Sequence, residues 1–244
     1  MRHQRTPGLR GKLPARQLDM GTFRSYVPGA LPTPPNTFDY SSRVLGGFPM
    51  ADNDRLGCCT YAGVVHLDQL VYAEVGENFA YPGDHEVEVE YLDETGGEDT
   101  GCVEVDVLEK WRKDGLFGTK LLCWTRVDPQ DHDEVRAALW LTGGLYLGVE
   151  LPGDAEGEFA NHVPWTVANP PSAPVGGHCI VGSGASDQGL TTVTWGALQS
   201  VTWDWIDTYC SEMYVVVPEV FGEVDHAAVA TIDTKTLIAD LNKL

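Results

Sequence analysis

The chain has 244 residues, 43% of them hydrophobic, which is enough to bury a sizeable core, and the length suits one elaborated domain with appendages rather than two domains. The formal net charge of -20 is unevenly spread: residues 1–24 hold Arg2, Arg5, Arg10, Lys12, Arg16 and Arg24 against Asp19 alone, so that stretch carries +5 and the remainder -25. An acidic body of this kind repels nucleic acid and anionic membrane, no apolar run reaches the roughly 20 residues that span a bilayer, and the charged N-terminus lacks the apolar centre of a secretory signal.

Residues 1–45 contain Pro7, Pro14, Pro28, Pro32, Pro34 and Pro35 with little apolar periodicity, and read as an extended basic arm without a core of its own, either lying on an acidic surface, the body's included, or serving as a disordered, solubilising tail. From Cys59 to Val75 there is no proline, and Ala62, Val64, Val65, Leu67, Leu70, Val71 and Ala73 suit a largely buried helix whose N-terminus falls at Cys58 and Cys59. Glu86, Glu88 and Glu90 alternate with Val87 and Val89, which predicts a strand with one solvated face. Val107, Leu108 and Trp111 mark a second helix, with basic residues in its last turn and Gly115 as its stop. Asp131–Leu141 predicts a third helix opened by acids, and the GGLYLGVEL that follows reads as a turn into a buried strand.

After Gly176 the pattern turns to strand in HCIVGSGA, LTTVTWGA and EMYVVVPE, with Trp203 and Trp205 expected on one face of a strand or loop. A final amphipathic helix is predicted in DTKTLIADLNKL, where Asp233 caps and Leu237, Ile238, Leu241 and Leu244 share a face. Helices early and antiparallel strands late define an α+β class, divided as an arm at 1–45, a body at 46–222 and a C-terminal extension at 223–244.

Six cysteines (58, 59, 102, 123, 179 and 210) without regular spacing read as free thiols. A thiol becomes a nucleophile on ionisation, which a helix N-terminus and a nearby imidazole both favour. Cys59 is placed for the first, and His178, in Gly176-Gly177-His178-Cys179-Ile180-Val181, is the one histidine of seven set at the start of a buried strand behind flexible glycines.

The ordered blocks NDRLGCCTYA, GGHCIVGSGA and TVTWG resemble the cysteine, histidine and Trp-Gly blocks of papain-like peptidases over residues 46–217, and more closely those of uncharacterised papain-like proteins of bacteria and actinobacterial phages. The resemblance implies a papain-like fold in which a buried helix carrying the cysteine packs on an antiparallel sheet carrying the histidine. It implies Cys59 as nucleophile because Thr60 follows it, Cys58 as the runner-up, His178 as base, and the amide of Asn53, six residues before Cys59, with a backbone N–H at the oxyanion. The family's Asn before its Trp-Gly block falls on Val193, which cannot hold a ring nitrogen, so Thr194 is the substitute orienter and Trp195 the shield over the imidazole.

Other readings were weighed against this one. Cys58, Cys59, His178 and Cys179 suit zinc by softness, but adjacent ligands in both halves reach poorly around a tetrahedron, and no metal or other cofactor is expected. The acids at 86–99 lack calcium-loop spacing, and Gly182 and Gly184 lead into no phosphate-binding helix. The resemblance therefore implies a cysteine hydrolase of peptide or isopeptide bonds, acting in the cytoplasm or a virion. The competing expectation is a phage virion component that keeps the fold with little catalysis and lays residues 1–45 on neighbouring subunits.

Overall fold

The computed structural model describes residues 12–244; Arg2, Arg5 and Arg10 of the basic arm lie outside the described residues. The described part of the arm shares the body's core: Phe23, Tyr26, Val27 and Tyr40 are buried in it. Its charges meet acids of the body, with Arg16 on Asp106 and Arg24 on Asp131 (2.6 Å), and its end pairs as a short strand β1 (Phe38–Asp39) with a long central strand.

Helix α1 (Cys59–Glu74) is apolar nearly all round and is buried along most of its length, as its composition requires. The acidic stretch predicted as a strand is instead helix α2 (Asp84–Glu94): Val87 and Tyr91, four residues apart, are the buried pair, while Val89 is exposed. The period-2 alternation misled because only one of its two valines faces the core. Helix α3 (Glu104–Lys113) buries Val105, Val107, Leu108 and Trp111, and Gly115 beyond it takes a left-handed φ of +87° against the Thr119 carbonyl.

The sheet alternates with the remaining helices: β2 (Leu121–Arg126), α4 (His132–Thr142), β3 (Leu145–Pro152), α5 (Ala155–Ala160), β4 (Pro174–Ser186), β5 (Gly189–Thr194), β6 (Ala197–Thr202), α6 (Trp203–Tyr209) and β7 (Cys210–Pro218). The strands pair antiparallel with one another, in the order β2-β7-β3-β4-β5-β6 with β1 on β4. Asp131 caps α4 by accepting from the Glu134 N–H, as its position predicts. Trp203 and Trp205 open a helix rather than lying on a strand, so they face different ways: Trp203 stacks on His132 and buried Trp205 on Trp165.

The chain closes with α7 (Glu219–Glu223), α8 (Ala227–Thr231) and α9 (Thr234–Leu241). Asp233 caps α9, Leu237 and Leu241 are buried against β2, and the Asp233 N–H donates to the Tyr26 carbonyl of the arm. Leu244, past the helix end, is exposed rather than on the buried face. Among the described residues no helix is long and apolar enough to cross a membrane.

Candidate active site

Close approach of α1 to the sheet is made possible by Gly63, one turn into the helix: a Cβ there would lie 2.7 Å from the Tyr146 ring and 2.9 Å from the Cys179 sulfur. The Tyr146 hydroxyl then reaches across to donate to the Thr60 carbonyl at 2.7 Å, fixing the first turn of α1 against β3 and β4. The two candidate thiols part company at this turn. Cys58 is turned away from the sheet, its Sγ donating to the Ala51 carbonyl at 3.3 Å. Cys59 faces β4, where the backbone N–H of Cys179 points at its sulfur, so its thiol sits against the residue that follows His178.

Both thiols are fully buried. Burial is the main reason that the Cys59 pKa is pushed well above the ordinary thiol value; the Cys179 N–H opposes this, and Cys58, Glu104 and Cys102 add to it. Burial and Asp52 likewise push Cys58 up.

On the opposite side of β4 from Cys179, the imidazole of His178 is clamped by the β5–β6 hairpin. Its Nε2 and the Thr194 hydroxyl are hydrogen-bonded at 2.8 Å, and the Trp195 indole stacks on the ring with centroids 4.8 Å apart and planes 23° from parallel. The hairpin turn explains the placement: Trp195 and Gly196 both take left-handed φ, +47° and +71°, as a two-residue turn between Thr194 and Ala197 demands. Glycine adopts this freely, whereas Trp195 holds a strained conformation that lays its ring on His178. Phe159 and Trp165 pack edge-on against the same indole.

A further loop comes past this hairpin, because a Cβ on Gly196 would sit 3.2 Å from the backbone of Pro49 and Met50. The loop turns through left-handed Ala51 and Asp52 and is pinned by Asp52 to Arg55. Asn53 is buried in it, and its Nδ2 donates a long 3.4 Å bond to the Leu56 carbonyl. Of the four residues considered for zinc, Cys58 is turned to the Ala51 carbonyl, and among the described residues no group of three or more acids, histidines or cysteines is arranged to hold a metal.

One cluster went unread in the sequence. Lys12, counted there only as a charge, is buried with its Nζ 3.0 Å from Glu212 and 3.3 Å from Glu150, and donates to Ser211 at 2.9 Å. Buried Glu104 stands beside it, its carboxyl pushed well up by burial and by Glu212, with Lys12 opposing. The sequence signal was a glutamate in the otherwise apolar run of β7 and another opening α3.

Neither a family model nor the sequence of a curated protein matches the chain. Solved structures do. Xylellain, a cysteine protease from Xylella fastidiosa, superposes with a TM-score of 0.66 at 15% identity, covering 89% of this chain and 98% of its own. The proform of Amb a 11, a cysteine protease and ragweed pollen allergen, gives 0.55 at 12% identity over 75% of this chain and 66% of its own. The Carica candamarcensis cysteine protease CMS1MS2, in complex with E-64, gives 0.52 at 12% over 75% and 99%. The fold is therefore the papain-like α+β fold: a buried helix carrying Cys59 at its start, packed against an antiparallel sheet carrying His178.

Proposed function

We propose that the chain is a cysteine hydrolase of peptide or isopeptide bonds, with Cys59 as nucleophile and His178 as general base and acid. The observation that carries this reading is the meeting of Cys59, at the N-terminus of α1, with β4 at the residue directly after a histidine whose ring is fixed on both sides by Thr194 and Trp195. With Nε2 committed to Thr194, Nδ1 is the nitrogen that takes the Cys59 proton. The thiolate sulfur attacks the amide carbonyl carbon, and the oxyanion is held by the Cys59 N–H, which has no intrahelical acceptor, and by the Asn53 amide. Collapse breaks the C–N bond, His178 protonates the departing amine, and water then hydrolyses the thioester.

The test is the pH dependence of Cys59 alkylation by iodoacetamide, mapped by mass spectrometry, in the intact chain and in His178→Ala. Labelling well below pH 8.5 that the substitution abolishes supports the pair; slow labelling indifferent to His178 removes it. A second reading, a papain-like scaffold kept for assembly with little catalysis, draws on the full burial of Cys59 and its raised pKa. It requires the indifferent outcome, and the phage setting enters only with it.

A further inference from the structure

We propose that the pocket formed by Glu104, Glu150, Glu212 and Gly148 is a recognition pocket for a lysine or arginine side chain of a peptide bound at the Cys59 site, and that Lys12 of the chain's own arm occupies it as a substrate-like plug. The proposal rests on the hydrolase reading for its meaning and on four independent contacts for its geometry.

First, the arm enters as an extended peptide docked by its backbone. The Lys12 N–H donates to the Gly177 carbonyl at 3.4 Å and the Leu13 N–H to the Cys102 carbonyl at 2.8 Å, so residues 12–13 bridge the start of α3 and the residue immediately before His178. Second, the surface on both sides is cut for that occupant. A Cβ on Gly177 would stand 2.4 Å from the Lys12 carbonyl oxygen, and one on Gly148 would stand 2.6 Å from Lys12 Cε and 2.9 Å from Glu104 Oε1. Third, the pocket is more acidic than its occupant can neutralise. One ammonium faces Glu212 at 3.0 Å, Glu150 at 3.3 Å and the carboxyl of wholly buried Glu104. Fourth, the pocket adjoins the candidate nucleophile: Gly148 pairs with Cys179, whose N–H points at Cys59, and the Glu104 carboxyl acts on both thiols.

The chemistry of such a pocket is selective. A long aliphatic stem passes over Gly148 where any side chain would block it, and an ammonium or guanidinium at its end finds Glu212 and Glu150 together with the Ser211 hydroxyl. A neutral stem of equal length would leave the buried Glu212 without its cation, and an acidic one would add a like charge. Buried Glu104 and Glu212 beside half-exposed Glu150 are costly to hold without a cation, which explains why the resting chain supplies one from its own basic arm.

The experiment uses the full chain with Lys12→Ala, which vacates the pocket, and the tripeptide acetyl-Gly-Lys-Leu-amide, the sequence of residues 11–13, against its norleucine counterpart. Calorimetry on Lys12→Ala should give the lysine peptide an affinity at least about tenfold above the norleucine peptide, the size of one charge-assisted contact, and Glu212→Gln in that background should remove the preference. The lysine peptide should also slow Cys59 alkylation in Lys12→Ala, and should bind wild type about tenfold more weakly than Lys12→Ala. Where Lys12→Ala fails to fold, Gly177→Ala, which pushes the arm backbone off by contact with the Lys12 carbonyl while keeping every carboxylate, is tested in the same way. Equal binding of the two peptides, or binding of neither, overturns the pocket; lysine-selective binding that leaves Cys59 alkylation unchanged overturns its assignment to that site. The hydrolase reading fails separately, by His178-independent alkylation, and that outcome does not touch the lysine preference.

Discussion

Replacing Thr194 by valine keeps the shape of the side chain and removes the single hydroxyl that meets His178 Nε2 at 2.8 Å. His178 is wholly buried, so water cannot take the place of the lost partner, and the cost is that of a buried polar group deprived of its hydrogen bond, about 1–3 kcal/mol. For a chain of this size about 1 kcal/mol moves the melting temperature by about 2–4 °C, which places Thr194→Val roughly 2–12 °C below wild type in a calorimetric scan. Thr194→Ser, which keeps the hydroxyl and loses one methyl, should fall by about 1 kcal/mol or less. The stability difference alone would describe a structural bond. If the hydroxyl also positions the imidazole for Cys59, then Thr194→Val should slow iodoacetamide labelling of Cys59 by about tenfold, and Thr194→Ser should restore it. Wild-type melting and wild-type labelling in Thr194→Val would refute the clamp altogether.

Burial holds the His66 pKa down at about 4 although the ring is bonded to the Pro49 carbonyl at 2.8 Å, so the folded chain resists a proton that the unfolded chain accepts near pH 6.5. Stability is therefore complete above about pH 6.5 and is lost as the pH falls toward 4, by about 3 kcal/mol in all, and His66→Gln should flatten that limb in denaturant titrations across the window. Asp68 has the opposite sign: burial raises its pKa well above the ordinary value, with the hydroxyl of Thr119 opposing, so its contribution is present at acid pH and lost as the pH rises. Asp68→Asn should accordingly match wild type near pH 4 and exceed it increasingly toward pH 8, measured by urea midpoints; a variant less stable at both would refute the assignment. Gly177→Ala should speed hydrogen exchange of the Leu13 amide, whose bond to the Cys102 carbonyl depends on the seat its Cβ would invade, and unchanged exchange would show that the arm accommodates the methyl.

Much of the fold was legible because its elements are locally consistent. Helix α1 announces itself by an apolar run without proline, α4 by the Asp131 cap, and β4, β5 and β7 by β-branched and aromatic runs between turns. The acidic stretch failed because two periods compete over a few residues: Glu-Val-Glu-Val reads as alternation, and only Tyr91, four residues beyond Val87, reveals the helical face. Trp203 and Trp205 failed because a two-residue spacing was taken as strand when Thr202 was capping a helix, its hydroxyl accepting from the Trp205 N–H. Of the candidate site, the ordered blocks located Cys59, His178, Thr194 and Trp195 along the chain. What they could not give was the direction of each side chain: that Cys58 turns to Ala51 while Cys59 turns to β4 follows from the angle at which α1 meets the sheet, which Gly63 and Tyr146 set. Lys12 was invisible for a stronger reason, since its partners Glu104, Glu150 and Glu212 come from three separate elements.

The glycines draw these observations into one argument. Gly63 removes the side chain that would hold α1 away from β3 and β4, Gly148 the one that would fill the acidic pocket, and Gly177 the one that would block a peptide backbone beside His178. The first of these serves packing alone, since the space is occupied by Tyr146 and Cys179 from the same core. At Gly177 the space is filled by Lys12 of the arm, and at Gly148 by Lys12 together with Glu212 and Glu104, beside a register shift between Gly148 and Val149 where β3 meets β7. At Gly177, whose pairing with Glu150 is regular, a sheet built for stability would place a β-branched residue. A glycine directly before His178, with Glu212 and Glu150 lining the opening beside it, would tie the proposed recognition of a basic side chain to the same strands that carry the candidate chemistry.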